Sequence, residues 1–256
     1  MRRIRRVSEP EVIAEFLKNE FYQGEFHSDR EMFEQLVLEA DTNNERENAL
    51  RRALLFRRRG HMWRELPADT TWWQIEFEPQ DLNLVRVFPR AQWRRVANGS
   101  YQLSDIAKRI KTEKFHGKTR AFISKVQSLS YRLRNERDSS SVLLIGIDEN
   151  KPFTILEGNH RIVAAMLVSP ALVTKQFQVL CGISPSMAQS CWYETNFPNL
   201  WRYAKNRFRN LLYDREADVK LAMDGTGSPM SATQDSLSEA GMDATVSVQK
   251  AFPRSK

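Results

Sequence analysis

The sequence predicts an α+β fold, in which a small mixed sheet packs with helices and is preceded by a helical N-terminal segment. Residues 70–78 and 142–147 are rich in β-branched, aromatic and other apolar side chains, which is typical of strands. Residues 8–22 and 119–137 repeat apolar side chains at the spacing of one helix face. The chain has 256 residues, of which 41% are hydrophobic, so it can bury a core of ordinary size.

Changes in composition divide the chain into three parts. Residues 1–66 form a helical lead-in with three predicted helices. Residues 67–221 form a mixed α/β core that ends in a helix. Residues 222–256 are rich in Gly, Ser, Thr and Asp and have no periodicity, so we expect them to be a disordered tail.

Within the core, apolar periodicity and turn residues predict an alternation of strands and helices. The predicted strands are 70–78, 82–88, 142–147, 153–156 and 175–180, and the predicted helices are 105–113, 119–137, 159–168 and 199–213. Asn199 is the predicted cap of the last helix. The strand pair before residue 158 and the helix after it form the most informative part of the chain.

Gly158 stands at the junction between the second strand of that pair and the helix. A glycine before a helix start presents free backbone N–H groups and the positive end of the helix dipole. Such a junction suits an anion, and above all phosphate. A carboxylate, an amide, an imidazole and a guanidinium surround the glycine, contributed by Glu157, Asn159, His160 and Arg161.

The motif Glu-Gly-Asn-His-Arg at 157–161, in this setting, resembles the ParB/sulfiredoxin-like superfamily over roughly residues 70–182. Sulfiredoxins carry a reactive cysteine where this chain has Asn159. Partition-type ParB proteins carry Gly-Glu-Arg-Arg-x-Arg, whereas here Asn159, His160 and Val163 stand in place of a glutamate and two arginines. The free-serine-kinase branch carries Asp-Gly-x-His-Arg, so the motif is closest to that branch.

The resemblance implies a nucleotide-dependent phosphotransferase acting on a small hydroxyl-containing substrate, with ATP or another nucleoside phosphate and Mg²⁺. Phosphoryl transfer needs an anion cradle, charge neutralisation and a base. The predicted catalytic residues are Glu157, His160 and Arg161, and the predicted phosphate-binding residues are Gly158, Asn159, His160 and Arg161. Glu157 would orient the acceptor or hold Mg²⁺ through a water. We expect Gly158→Val to abolish nucleotide binding and to leave the fold intact.

Other interpretations of the same residues stay open. The chain could be a ParB-like nucleotide- or nucleic-acid-binding protein without turnover, or a ParB-like nuclease with a metal. Gly158 could be only a tight turn, His160 a structural histidine and Arg161 a surface cation. The general base is not identified by the motif, and Asp105 and Glu113 are candidates by position alone.

The net charge of +7 favours anionic partners and predicts weak, non-specific nucleic-acid binding. Cys181 and Cys191 cannot form a disulfide framework and are typical of reduced cytosolic thiols. No apolar run approaches the roughly 18 residues of a membrane span, and the basic start at 1–6 is not followed by a signal-like segment. We therefore expect a cytoplasmic protein with no membrane partner and no protein-held metal site.

Two basic segments each allow two interpretations. Residues 51–59 carry five arginines, which form either a surface for phosphate or nucleic acid, or a solvated helix face. Residues 201–209 interleave cations with Trp201, Tyr203 and Phe208. This segment forms either a surface for phosphate or bases, or an amphipathic helix that packs its aromatic side chains onto the sheet.

Overall fold

The computed structural model describes residues 1–89, 91–136, 138, 140–209 and 215–223. In this part of the chain the strands are β1 (Arg2–Val7), β2 (Thr71–Glu76), β3 (Val85–Arg86), β4 (Ser141–Gly146), β5 (Phe153–Glu157) and β6 (Gln178–Ile183). The helices are α1 (Glu9–Glu20), α2 (Arg30–Leu38), α3 (Glu45–Trp63), α4 (Ala91–Ala97), α5 (Leu103–Thr112), α6 (Gly117–Asn135), α7 (Asn159–Val168), α8 (Pro170–Gln176), α9 (Phe197–Arg209) and α10 (Val219–Met223).

All six strands belong to one mixed sheet in the order β1-β2-β6-β4-β5-β3. The β4–β6 and β3–β5 pairs are parallel, and the other three pairs are antiparallel. The predicted α+β class with a mixed sheet is therefore confirmed. In the described part of the chain, no helix is both long enough and apolar enough to cross a bilayer.

Helices cover both faces of the sheet, which explains why the central strand β4 is apolar throughout. Successive side chains of a strand point to opposite faces. Val142 and Leu144 pack in one core cluster with α4, α5, α6 and α7. Leu143 and Ile145 pack in a second cluster with α1, α2 and α3. The N-terminal helices thus form one of the two layers on the sheet.

The lead-in also contributes strand β1, which the sequence analysis missed. Its six residues, Arg-Arg-Ile-Arg-Arg-Val, are mostly exposed and lack the apolar alternation of a half-buried strand. As an edge strand, β1 is held by cross-strand charges, since Arg2 pairs with Glu76 and Arg3 lies over the Trp73 ring at 4.5 Å. Charged side chains also protect a sheet edge from pairing with other chains.

Several predicted boundaries in the core were wrong. The predicted strand at 82–88 begins with the end of a 3₁₀ turn (Pro79–Leu84), and only Val85–Arg86 pairs in the sheet. The predicted strand at 175–180 begins only at Gln178, because α8 occupies the preceding residues. The Ser169 side chain accepts a hydrogen bond from Leu172 N, and Pro170 suits a first helical position.

The C-terminal predictions are described only in part. Residues 222 and 223 lie in α10, whose Val219 and Ala222 are buried, so the predicted tail does not start at 222. Residues 224–256 lie outside the described part of the chain. The helix predicted for 199–213 is α9, whose described residues end at Arg209. Asn196 caps it instead of Asn199, because its Oδ1 accepts from Asn199 N at 2.9 Å.

Candidate functional site

The predicted junction exists in the structure: β5 ends at Glu157, Gly158 follows, and α7 begins at Asn159. Gly158 has φ +96°, in the left-handed region, and its position carries no side-chain cap. The first amides of a helix have no acceptor within the helix itself. The start of α7 therefore has the donor arrangement that an anion would need.

Gly158 is required by the fold itself, which overturns the expected outcome of Gly158→Val. A Cβ at this position would lie 3.0 Å from a methyl group of Val142, and a side chain is strained at φ +96° in any case. The space on the Cβ side of the glycine is thus filled by Val142, so the fold needs glycine here whether or not an anion binds to the amides of α7. Loss of binding in Gly158→Val would not be separable from damage to the fold.

Glu157 is the last residue of β5, and Arg161 follows it by four residues in α7. Their side chains form an ion pair and are each 15% exposed. Asn19 of α1 joins them: its Nδ2 donates to Glu157 Oε2 at 3.3 Å, and its Oδ1 accepts from Arg161 Nη1 at 3.1 Å. Asn19 Nδ2 also donates to Ser141 O at 2.8 Å. We call Glu157, Arg161 and Asn19 the junction triad. The interpretation of Arg161 as a simple surface cation is therefore wrong.

The pKa of the Glu157 carboxyl group lies near neutral pH. Its pKa is raised from 4.5 to about 7, chiefly by burial and in part by nearby Glu20. The charge of Arg161 and a hydrogen bond from the Gly158 backbone act in the opposite direction. Because desolvation outweighs the attraction of Arg161, this carboxyl group can exchange a proton in the pH range of most enzymes.

Asn159 is buried and has a structural role. Its Oδ1 accepts from the backbone N–H of Phe88 at 3.2 Å, and its Nδ2 donates to Ile155 O at 3.5 Å. These bonds join α7 to β5 and to the segment after β3. Asn159 was predicted to bind phosphate. Its side chain is engaged in these bonds, so its backbone amide at the helix start is the group that fits such a role.

His160 is exposed, and its ring contacts two aromatic side chains that also contact each other. The Trp93 ring of α4 is 5.5 Å from the His160 ring, and the Phe122 ring of α6 is 5.3 Å from it. Arg161 instead faces α1 and β5, through Asn19 and Glu157. The two side chains that were predicted to hold phosphate together therefore have different neighbours.

A polar cavity of about 620 Å³ lies next to the junction triad, between α1, the end of α6 and the start of β6. Its volume is within the range of small-molecule sites. Asn19 lines this cavity and also donates to Glu157, so one side chain connects the cavity to the buried carboxyl group. The remaining lining is mostly polar or charged and includes Glu15, Lys18, Tyr22, Arg132, Glu136, Asp138, Ser140 and Gln178. Asn19 is the site residue that the sequence analysis missed, since it lies 138 residues before Glu157 and no local pattern marks it.

The two candidate bases, Asp105 in the first turn of α5 and Glu113 at its C-terminal end, contact residues near them in the chain. Asp105 accepts a hydrogen bond from Ser100 Oγ at 2.6 Å, and Glu113 pairs with Arg109 at 2.5 Å. Each of these carboxylates contacts a residue four or five positions away in the chain. Within the described residues, no group of three or more His, Cys, Asp or Glu side chains could hold a metal ion.

The arginines of α3 are bound to groups of the protein itself. Arg51 is buried and donates to Leu36 O and Asp41 O, and its guanidinium also contacts Glu47 and Asn48. Arg46 donates to Met223 O, and the remaining four contact carboxylates: Arg52 pairs with Glu9, Arg57 and Arg58 with Asp29, and Arg59 with Glu20 and Glu25. Neither the phosphate-facing surface nor a purely solvated helix face describes this helix. Charge reversal at 57–59 would also disrupt these pairs.

Comparison of the chain with protein-family models, with curated proteins and with solved structures gave no match. The resemblance to the ParB/sulfiredoxin-like superfamily thus rests on the motif at 157–161 and on the strands and helix around it, and it stays a prediction.

Proposed function

We propose that the chain is a nucleotide-dependent phosphotransferase that acts on a small hydroxyl-containing substrate. The observation that carries the proposal is the position of Glu157, a mostly buried carboxyl group whose pKa is raised to about 7. It lies at an uncapped helix start and is one hydrogen bond from Asn19, which lines a cavity of small-molecule size. A base with a pKa near the working pH is what proton removal from a hydroxyl group needs.

The proposed nucleotide would bind by its phosphates at the start of α7, with His160 and Arg161 beside it. ATP or another nucleoside phosphate, bound with Mg²⁺, would supply the phosphoryl group. Glu157 would accept the proton of the substrate hydroxyl, whose oxygen bonds to the terminal phosphorus. The bond between the terminal phosphorus and the rest of the nucleotide would break, and its electron pair would stay on the leaving nucleotide. The acceptor would occupy the cavity beside Asn19.

Arg161 would have two states in this proposal. Without nucleotide it pairs with Glu157 and Asn19. Contact with phosphate requires the guanidinium to turn away from Glu157, which leaves the carboxyl group free to accept a proton. A guanidinium is well suited to such an exchange because it binds carboxylate and phosphate in the same bidentate way.

The test is turnover of ATP, and of other nucleoside di- and triphosphates, with Mg²⁺ and a panel of small hydroxy acids and amino acids. We expect Glu157→Gln to reduce turnover by at least about 100-fold and to change nucleotide affinity much less. Glu65→Gln is the matched control, because burial also raises the pKa of the Glu65 carboxyl, but its contacts are with Cys191 and Asn206. This control should keep the activity of the wild type.

The second candidate is a ParB-like protein that binds nucleotide without turnover, and the closed pairing of Arg161 with Glu157 favours it. Nucleotide at about 100 times its Kd would raise stability by about 2.7 kcal/mol in either case. Stabilisation without turnover in the wild type would favour this candidate. If no nucleotide stabilises the protein, with or without Mg²⁺, both candidates fail.

We also propose a cytoplasmic location. Both cysteines are free and buried, and burial raises the pKa of the Cys191 thiol to about 12 and that of Cys181 even further. Such thiols are unreactive structural groups, as is common in a reducing compartment.

A further inference from the structure

Helix α9 faces the rest of the protein with its polar side. Asn199 is buried and its Nδ2 donates to Ala188 O at 2.9 Å and to Glu194 O at 2.8 Å. Asn206 Nδ2 donates to Glu65 Oε1 at 2.6 Å. Between them, the Tyr203 ring packs edge-on against Trp192 at 5.7 Å. The spacing of 199, 203 and 206 is that of one helix face.

The opposite side of α9 is apolar and exposed. Phe197 is 79% exposed, Trp201 69%, Phe208 64% and Leu200 46%. These residues follow the spacing of a single helix stripe, which we call the α9 stripe. The predicted packing of the aromatic side chains onto the sheet is therefore wrong for all of them except Tyr203. Amphipathic surface helices normally bury their apolar side, so α9 has the reverse orientation.

Cations border the α9 stripe on both sides. Lys205 and Arg209 follow Trp201 by four and eight residues, along one border, and Arg207 follows Leu200 by seven, along the other. The helix itself contains no Asp or Glu. An aromatic and aliphatic stripe with Lys and Arg at its borders is the pattern of helices that lie in a membrane interface.

We propose that α9 binds the surface of an anionic membrane, with the α9 stripe inserted among the lipids and its cations at the level of the headgroups. A helix that lies on a bilayer needs no spanning length. With 13 residues, α9 is about 20 Å long and can lie flat along its whole stripe. The hydrogen bonds of Asn199 and Asn206 keep the polar side of the helix on the protein in this orientation.

The charges favour lipid over the other occupants of such a stripe. A second copy of the chain would bring the cations of two α9 helices together, which is unfavourable. Single-stranded nucleic acid would stack on Phe197, Trp201 and Phe208 but would leave the aliphatic Leu200 uncovered. An anionic bilayer covers the aromatic and aliphatic side chains alike and neutralises both borders.

The experiment is co-sedimentation of the full-length chain with vesicles of phosphatidylcholine alone or with about one-third phosphatidylserine. We expect binding to the anionic vesicles that is at least about tenfold stronger than to the neutral ones and that weakens with salt. Trp201→Glu with Phe208→Glu should abolish binding. Lys205→Glu with Arg207→Glu should reduce it at least about tenfold. All four side chains are exposed, so the variants should fold, and their melting temperatures check this.

The matched control is Met32→Glu combined with Tyr131→Glu, which adds the same two negative charges as Trp201→Glu with Phe208→Glu, at exposed side chains of α2 and α6. It should bind vesicles as the wild type does. Equal binding by the Trp201 and Phe208 variant, or no binding of the wild type to anionic vesicles, would overturn the proposal. So would retention on oligo(dT), or a dimer in sedimentation equilibrium, that depends on Trp201 while vesicles are not bound.

Discussion

Helices α3 and α9 are both rich in arginine, but the structure uses their cations in different ways. Every arginine of α3 from 51 to 59 contacts a carboxylate or a backbone carbonyl of the same chain. In α9, Arg202 donates to Gln189 O and Arg209 is 3.9 Å from Glu216, whereas the helix surface next to the cations consists of exposed aromatic side chains. The first helix uses its charge for folding, whereas Lys205, Arg207 and Arg209 of the second are exposed beside the α9 stripe.

The difference depends on the residues that surround each helix. Around α3, the helices α1 and α2 and the turn between them bring Glu9, Glu20, Glu25 and Asp29 within reach of its arginines. These acids lie 28 to 43 residues away along the chain. A count of basic residues in a window cannot detect such partners. Net charge therefore indicates an anionic ligand only after the internal pairs have been removed from the count.

The strongest test of the folding role of α3 is Arg51→Ala. The Arg51 side chain is 1% exposed and donates to two backbone carbonyls besides its pair with Glu47. Its removal leaves Leu36 O and Asp41 O without this donor and creates a cavity. We expect the free energy of unfolding to fall by about 3–5 kcal/mol in urea denaturation.

The control for this prediction is Arg57→Ala on the same helix. Arg57 is 47% exposed, and its nearest approach to Asp29 is 3.5 Å. Buried Asp29 keeps its closer partner Arg58 at 2.6 Å when the half-exposed Arg57 side chain is removed, so this change should alter stability by less than about 1 kcal/mol. Equal losses in the two variants would contradict the assignment of separate roles within α3.

Arg161 resembles the α3 arginines in being paired inside the protein, and the pH dependence of stability tests this. The pKa of Glu157 is about 7 in the folded protein and near 4.5 when unfolded. Between these values the folded state binds more protons, so wild-type stability should fall as the pH rises from about 4.5 to 7. The loss, relative to Glu157→Gln, should be on the order of 1–3 kcal/mol.

This measurement needs urea unfolding of both proteins at several pH values from 4.5 to 8. Glu76→Gln removes a carboxylate of the exposed edge strands and serves as the control, which should follow the wild type. A wild-type curve that rises with pH relative to Glu157→Gln would mean that Arg161 outweighs burial. Glu157 would then be a permanently ionised structural group and a poor candidate for the base.

Sequence patterns predicted the elements whose structure is determined by residues close to one another in the chain. The strand pair, Gly158 and α7 were found because apolar runs, a turn and a glycine follow one another within 26 residues. Edge strand β1 was missed because its arginines hide the strand pattern, and α8 because the apolar run after Pro170 was not recognised as a helix. Asn19 and the carboxylates around α3 reach their partners only through the packing of α1 on the sheet.

The same dependence on packing explains why the orientation of α9 was predicted wrongly. The variants that test this orientation have the smallest expected effect on stability. Periodicity identified the helix and its apolar side but could not tell which side faces the protein. In the structure, Asn199 lies inside and Trp201 lies outside. Asn199→Ala should therefore lower the free energy of unfolding by about 1–2 kcal/mol, since the backbone carbonyls of Ala188 and Glu194 lose their donor. Trp201→Ala should change it by less than about 0.5 kcal/mol. Urea denaturation of the two variants checks this order, and a larger loss in Trp201→Ala would mean that α9 packs with its aromatic side inward.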